Sequence, residues 1–183
     1  MRRFRSAILT LAFAPAIAFA QAAPTVAIIV RHAEKGTTPV NDPPLTDAGT
    51  ARAKALAAAL VNAHVQAVIT TQLVRTKDTA KPTAEALGLT METVPVSGAV
   101  ADHAKAVADA VRKHVGQTVL VVGHSNTVTQ IIAALGGPKL PDLCDSQYSN
   151  FYNLVIDGAS ARVVLSSYGA PSPELATGCP AMK

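Results

Sequence analysis

Apolar positions recur along this chain in two alternating patterns. Thr25-Val26-Ala27-Ile28-Ile29-Val30 is an unbroken, mostly β-branched run, and Val119-Leu120-Val121-Val122 is another. Runs without polar alternation belong to parallel strands buried on both faces. Ala67-Val68-Ile69-Thr70 shows the pattern more weakly. Between these runs the apolar spacing lengthens to three and four. Thr46 suits an N-cap and predicts a helix through Leu56, Leu60 and Ala63. A second helix is predicted from Val74 to Leu87, stopped by Gly88. Ala104, Val107, Ala108, Val111 and Val115 form the stripe of a third. Val128, Ile131, Ile132 and Leu135 form that of a fourth, closed by Gly136-Gly137-Pro138. Residues 150–156 and 161–166 predict two more strands, split by a turn at Asp157-Gly158, and Glu92 falls in a short one. This alternation predicts an α/β sandwich on a mostly parallel sheet. No repeat or linker divides it, so residues 21–183 are expected to form one domain, with an irregular Pro-rich tail after Gly169.

Composition narrows the reading. With 183 residues, 49% of them apolar and 15% charged, the chain can bury a core and is not a disordered sequence. Its 16 Lys and Arg exceed its 12 Asp and Glu, but three of those cations are Arg2, Arg3 and Arg5. The remainder is nearly balanced, which argues against a nucleic-acid partner. The lack of Trp and the 4% aromatic content also exclude a base-stacking platform.

The basic start, the apolar run from Ala7 and the small residues of Ala18-Phe19-Ala20 predict an export signal over residues 1–20, cut before Gln21. The alternative is an uncleaved anchor or a core helix, but Pro15 interrupts a run that would need roughly 20 apolar residues to span a membrane. No later segment is long and apolar enough to span. A periplasmic location is expected. In such a compartment Cys144 and Cys179 are candidates for a disulfide, the alternative being two free thiols. The bridge would close a 35-residue loop, stabilising by about 3–4 kcal/mol in the chain-entropy account.

Candidate chemistry sits where the strands end, which is where open α/β sheets bind ligands. The first strand runs into Arg31-His32, the weak one through Thr70-Thr71 toward Arg75, and the third through Gly123 into His124. Two histidines and two arginines thus converge on one sheet edge. Gly123 is expected to allow a sharp turn there, and Ser125-Asn126 to open the next helix, with Asn126 a candidate substrate contact. Guanidinium groups beside a helix N-terminus make an anion site. A neutral imidazole there is a competent nucleophile toward phosphorus, with the guanidinium groups stabilising the transferring oxygens. No metal or other cofactor is then required.

At these residues the sequence resembles the histidine phosphatase (phosphoglycerate mutase-like) superfamily. The blocks are Arg31-His32-Ala33-Glu34-Lys35, Leu45-Thr46-Asp47-Ala48-Gly49, Thr70-Thr71-Gln72-Leu73-Val74-Arg75 with Thr79-Ala80, and Gly123-His124-Ser125-Asn126-Thr127, in the family's order. The resemblance implies a three-layer α/β/α sandwich, His32 as the phosphorylated nucleophile, and Arg31, Arg75 and His124 as the phosphate pocket. The activity implied is metal-independent hydrolysis of a small phosphate ester. The family usually has Gly after the nucleophile, where this chain has Ala33.

A general acid is harder to find. Asp102, after the apolar run Val94 to Val96, is one candidate, although it is equally suited to cap the third helix; Glu34 is another, or it orients the site. His64, His103 and His114 are expected on the surface, and Arg52 as a solvated or supporting residue. Tyr148 and Asn150 are weaker candidates for the pocket wall. Two rival classes stand beside the phosphatase reading. A serine hydrolase elbow at Gly123-His124-Ser125 lacks the second glycine, since Thr127 occupies that position. A phospholigand-binding protein without turnover is favoured only by the missing acid, and a mutase is disfavoured by export.

Overall fold

Alternate residues of the central apolar runs face opposite sides of one sheet, which is why those runs carry no polar alternation. A computed structural model describes residues 23–158 and 160–172. The predicted export signal and Cys179 lie outside the described residues. Within them the chain runs β1 (Thr25–Arg31), α1 (Asp47–Ala59), β2 (Val65–Thr70), α2 (Val74–Leu87), β3 (Met91–Thr93), α3 (Val100–Val111), β4 (Thr118–Gly123), α4 (Val128–Ala134), β5 (Asn150–Asp157) and β6 (Ser160–Ser167).

The six strands form one sheet in the order β3-β2-β4-β1-β5-β6. Strands β1 to β4 are mutually parallel, and β5 and β6 add an antiparallel edge. Ala27, Ile29, Ile69, Val119 and Val121 pack on one face against Val107, Val111, Ile131 and Ile132 of α3 and α4. Ile28, Val30, Val68, Leu120 and Val122 pack on the other against Leu56, Ala80 and Ala84 of α1 and α2. The sheet is therefore covered on both faces, the three-layer α/β/α sandwich that the resemblance implies.

Most predicted elements fall where expected, with differences at helix ends. Helix α1 stops at Ala59, so Leu60 and Ala63 pack on the core from beyond it. Helix α3 stops at Val111, leaving Val115 68% exposed and off the apolar stripe. Its N-cap is Ala99, so Asp102 lies in the first turn and is not the cap. Helix α2 ends as predicted on Gly88, whose φ of 64° is the left-handed conformation that closes a helix. No helix among the described residues is long and apolar enough to cross a membrane.

Candidate active site

Register brings the two predicted histidines together. Arg31 pairs with Gly123 across β1 and β4, and the His32 amide donates to the Gly123 carbonyl at 2.9 Å. The next residue of each strand is His32 and His124, and their rings meet edge to face with centroids 5.4 Å apart. Gly123 has a negative φ, so its role is not the sharp turn expected of it. A Cβ there would sit 3.0 Å from Thr127 Oγ1 and 3.4 Å from Val128 Cγ2. It is small so that α4 can begin directly against the strand end.

The segment after His32 is clamped from several sides. The Ala33 amide donates to Thr79 Oγ1 at 2.9 Å, and Thr79 donates to the Arg75 carbonyl at 2.7 Å. The Glu34 carbonyl accepts from the Thr46 amide at 2.9 Å, while Thr46 Oγ1 caps α1 by accepting from Gly49 at 3.1 Å. A Cβ on Gly49 would lie 2.1 Å from the Glu34 oxygen, so this close approach requires glycine. Both the Leu45-to-Gly49 and Thr79-Ala80 blocks thus hold one loop in place.

That loop sets the state of His32. Its Nδ1 lies 2.8 Å from the Ala33 carbonyl, which only accepts, so the ring hydrogen sits on Nδ1 and the Nε2 lone pair is bare. Burial, then the neighbouring His124, Arg31 and Arg75, push the pKa of His32 down to about 2, against the opposing pull of the Ala33 bond. His124 is pushed down to about 3 by burial and then by Arg75, His103 and Arg31. Its Nε2 is 3.2 Å from Thr71 Oγ1, and its amide donates to Thr127 Oγ1 at 2.9 Å. Both imidazoles are neutral at pH 7.

The two arginines differ. Arg75 is on the wall of a cavity of about 240 Å³, together with His32, Lys35, His103, His124 and Asn126. Its Nη1 is 3.5 Å from Asp42, a residue that sequence reasoning missed and that also accepts from the Val74 amide at the start of α2. Arg31, expected in the phosphate pocket, is not on that wall. It is 1% exposed, and Nη1 donates to the Cys144, Asp145 and Gln147 carbonyls at 2.8, 3.0 and 3.3 Å. Its Nη2 meets Asp145 Oδ1 and Tyr148 Oη, and its guanidinium carbon lies 4.1 Å from the Tyr148 ring centre. What remains is Nε: in both Arg31 and Arg75 this donor is buried without a partner.

Neither carboxylate candidate is placed as an acid. Glu34 accepts from Arg52 Nε and Nη2 at 2.8–3.0 Å. Burial alone would raise its pKa, but the Arg52 bonds outweigh it and hold the carboxyl below its ordinary value. Arg52 is itself buried and also donates to the Tyr168 and Ala170 carbonyls, so it supports the site and is not solvated. Asp102 is exposed and is not on the cavity wall. His103, expected on the surface, is 2% exposed and is on that wall. Its place in the α3 stripe beside Ala104 and Val107 was the available signal. Tyr148 meets the site twice, its ring centroid 6.3 Å from that of His32 and its hydroxyl accepting from Arg31 Nη2, whereas Asn150 bonds to Tyr152 Oη at 3.0 Å on an apolar groove elsewhere. Ser125 Oγ is buried with no hydrogen-bond partner, so no base activates it as a hydrolase nucleophile. Among the described residues no group of three or more His, Cys, Asp or Glu is arranged to hold a metal ion.

Residues 27–96 match the family model of the histidine phosphatase superfamily, branch 1. No curated protein matches. Among solved structures, Bacillus stearothermophilus YhfR is similar with a TM-score of 0.64 at 19% identity, covering 77% of this chain and 96% of its own. The protein histidine phosphatase SixA, solved with tungstate, gives 0.63 at 20% identity, covering 78% and 96%. A mycobacterial glucosyl-3-phosphoglycerate phosphatase gives 0.60 at 18%, covering 81% and 100%. At these identities the likeness is one of fold.

Proposed function

We infer that this chain, which belongs to the histidine phosphatase superfamily through residues 27–96, hydrolyses small phosphate monoesters by way of a phosphoryl group carried on His32. The observation that carries the reading is the Nε2 lone pair of His32 in the cavity that Arg75 also lines, where the buried Arg75 Nε–H lacks a partner. A tetrahedral oxyanion satisfies such donors, and a buried unmet donor otherwise costs roughly 1–3 kcal/mol. In the first step Nε2 attacks phosphorus and the ester P–O bond breaks; Nδ1 keeps its hydrogen on the Ala33 carbonyl. The phosphorylated ring is then a cation, which makes its nitrogen a good leaving group. Water attacks phosphorus, the P–N bond breaks, and its electron pair returns to Nε2. Arg75, Lys35 and the Arg31 charge offset the negative oxygens throughout, so the chemistry needs no metal.

The similar solved proteins include phosphatases by name, which supports the class without choosing the ester. The rival, a phospholigand-binding protein without turnover, rests on the lack of a carboxylic acid among the described residues of the cavity wall. Turnover of a panel of phosphate esters, p-nitrophenyl phosphate included, separates the two. Activity should be lost in His32→Ala, unaffected by chelators, and accompanied by an acid-labile, base-stable phosphoenzyme on His32. Full activity in His32→Ala overturns the reading. The same proposal has the protein exported and cut before Gln21, with Cys144 bonded to Cys179. Intact-mass and non-reducing peptide mapping of the exported protein test both, and retention of Met1 to Ala20 or a free Cys179 thiol refutes them.

A further inference from the structure

The cavity wall carries a third histidine that the mechanism so far does not use. His103 lies in the first turn of α3 and shares the buried stripe of Ala104, Val107, Ala108 and Val111, so its ring is turned into the molecule. Its Nδ1 is 3.1 Å from the Pro95 carbonyl. A carbonyl only accepts, so the hydrogen is on Nδ1 and Nε2 carries a lone pair. That Nε2 is buried and has no partner. The cavity that the ring lines is the one lined by His32, Arg75 and His124. An unmet acceptor on a residue that lines the cavity shared with His32, Arg75 and His124 is open to a donor from the reaction itself: the hydroxyl of a departing alcohol, or the attacking water.

We propose that His103 is the proton carrier of the hydrolysis, giving a proton from Nε2 to the leaving oxygen and taking one from the water that follows. This rests on the phosphohistidine reading above. Protonated His103 delivers its Nε2 hydrogen as the P–O bond breaks, so the alcohol leaves neutral and the ring becomes neutral. Water then attacks phosphorus, its proton passes to Nε2, and the P–N bond breaks to free His32 and inorganic phosphate. One turnover restores every group.

The surroundings suit both protonation states. Burial lowers the pKa of His103, partly opposed by the Pro95 bond. The other titratable or charged groups on the cavity wall are His32, Lys35, Arg75 and His124, none of them acidic. In the empty site the ring is therefore neutral. A phosphoryl dianion held by the same cations favours the imidazolium, so the substrate itself charges the acid. Asp102, one residue earlier, is exposed and off the wall, and Glu34 is held by Arg52.

The test compares two esters in the wild type, His103→Gln and His32→Ala. Glycerol phosphate needs an acid for its leaving group, whereas dinitrophenyl phosphate does not. In His103→Gln, kcat/KM should fall about a hundredfold or more on glycerol phosphate, the usual worth of a general acid, and change little on dinitrophenyl phosphate. With the latter ester, phosphoenzyme should accumulate, because the water has lost its base. Equal losses on both esters would show a structural role, and no loss on either would show no role; each overturns the proposal. If His103→Gln fails to fold, the wild type decides: a shallow dependence of kcat/KM on leaving-group basicity supports a resident acid, and a steep one overturns it. His32→Ala keeps the two readings apart. Should it retain turnover of dinitrophenyl phosphate, the phosphohistidine reading fails; should it be inactive while His103→Gln handles both esters normally, only the role of His103 fails.

Discussion

Thr79 accepts the Ala33 amide hydrogen at 2.9 Å and gives its own to the Arg75 carbonyl at 2.7 Å, so one hydroxyl ties the residue after His32 to the backbone of Arg75. Its oxygen fixes the Ala33 peptide, and the carbonyl of that residue fixes the His32 ring. Thr79→Val keeps the shape and removes the hydroxyl, leaving a buried amide unmet. It should cost roughly 1–3 kcal/mol in urea unfolding and lower kcat, whereas Thr79→Ser should restore most of both. An unchanged kcat in Thr79→Val would mean that the ring is held by other contacts.

Gly49 tests the same loop sterically. The Cβ of Gly49→Ala would fall 2.1 Å from the Glu34 oxygen and 3.0 Å from its carbonyl carbon, both backbone atoms that cannot swing away. Overpacking of this kind costs about 1–3 kcal/mol. Gly36→Ala is the control, since its nearest neighbour would be 3.6 Å away, and it should unfold at nearly the wild-type denaturant midpoint.

Much of this was legible beforehand because the signals were physical. Strands buried on both faces read as continuous apolar runs, and the strand ends named Arg31, His32, Arg75 and His124 directly. What escaped depends on contacts between distant segments. The Nη1 of Arg31 goes to carbonyls more than a hundred residues later, and carbonyls have no sequence signature. His103 reads as a surface residue when judged by its polarity and its nearness to a helix end; its place beside Ala104 and Val107 in the buried stripe of α3 is what turns it inward. Asp102 beside it was the more conventional acid, and only the helix phase separates the two. Asp42 lies in an irregular segment, where spacing carries no information.

The Glu34–Arg52 pair makes a pH prediction. The folded carboxyl has a lowered pKa, so it contributes stability above its ordinary value of 4.5 and loses it as pH falls through the lower folded value. Glu34→Gln should narrow its stability deficit against the wild type as pH drops below 4.5. Glu34→Ala should cost on the order of 2 kcal/mol at pH 7, less than for a fully buried pair because the Glu34 side chain is 25% exposed. Urea midpoints across pH measure both, and a deficit independent of pH would count against the pair.

His32 and His124 act in a separate window. Their folded pKa values, about 2 and about 3, lie below the ordinary 6.5, so the unfolded chain binds more protons as pH falls below 6.5 and folding is progressively destabilised. His103 adds to the same slope. Between pH 6.5 and 4.5, before Glu34 contributes, stability should fall steadily with acid. The double variant His32→Gln with His124→Gln should flatten most of that fall. The same shifts keep the His32 ring neutral at pH 5, so an acid limb of kcat/KM near neutrality must come from the substrate, whereas a proton donor such as His103 gives a limb on the basic side.

Arg31 and Arg75 should separate when each is replaced. The terminal nitrogens of Arg31 bond to three carbonyls and to Asp145 in the segment that packs over it. Arg31→Ala leaves those acceptors unmet in a nearly inaccessible space, and a loss on the order of 3 kcal/mol or more is expected, as for other broken buried networks. The Arg75 side chain is 15% exposed, and its ion pair with Asp42 is 3.5 Å long. Arg75→Ala should therefore fold with nearly wild-type stability while kcat/KM falls about a hundredfold or more, the scale for losing one preorganised charge stabiliser. Arg75→Lys keeps the charge but not the Nε–H donor, and should recover only part of the activity. Thermal melts and steady-state kinetics on the three variants decide the matter. A stable but inactive Arg31→Ala would show that the 144–148 segment does not depend on that side chain, and a destabilised Arg75→Ala would give the Asp42 contact a structural weight that its length does not suggest.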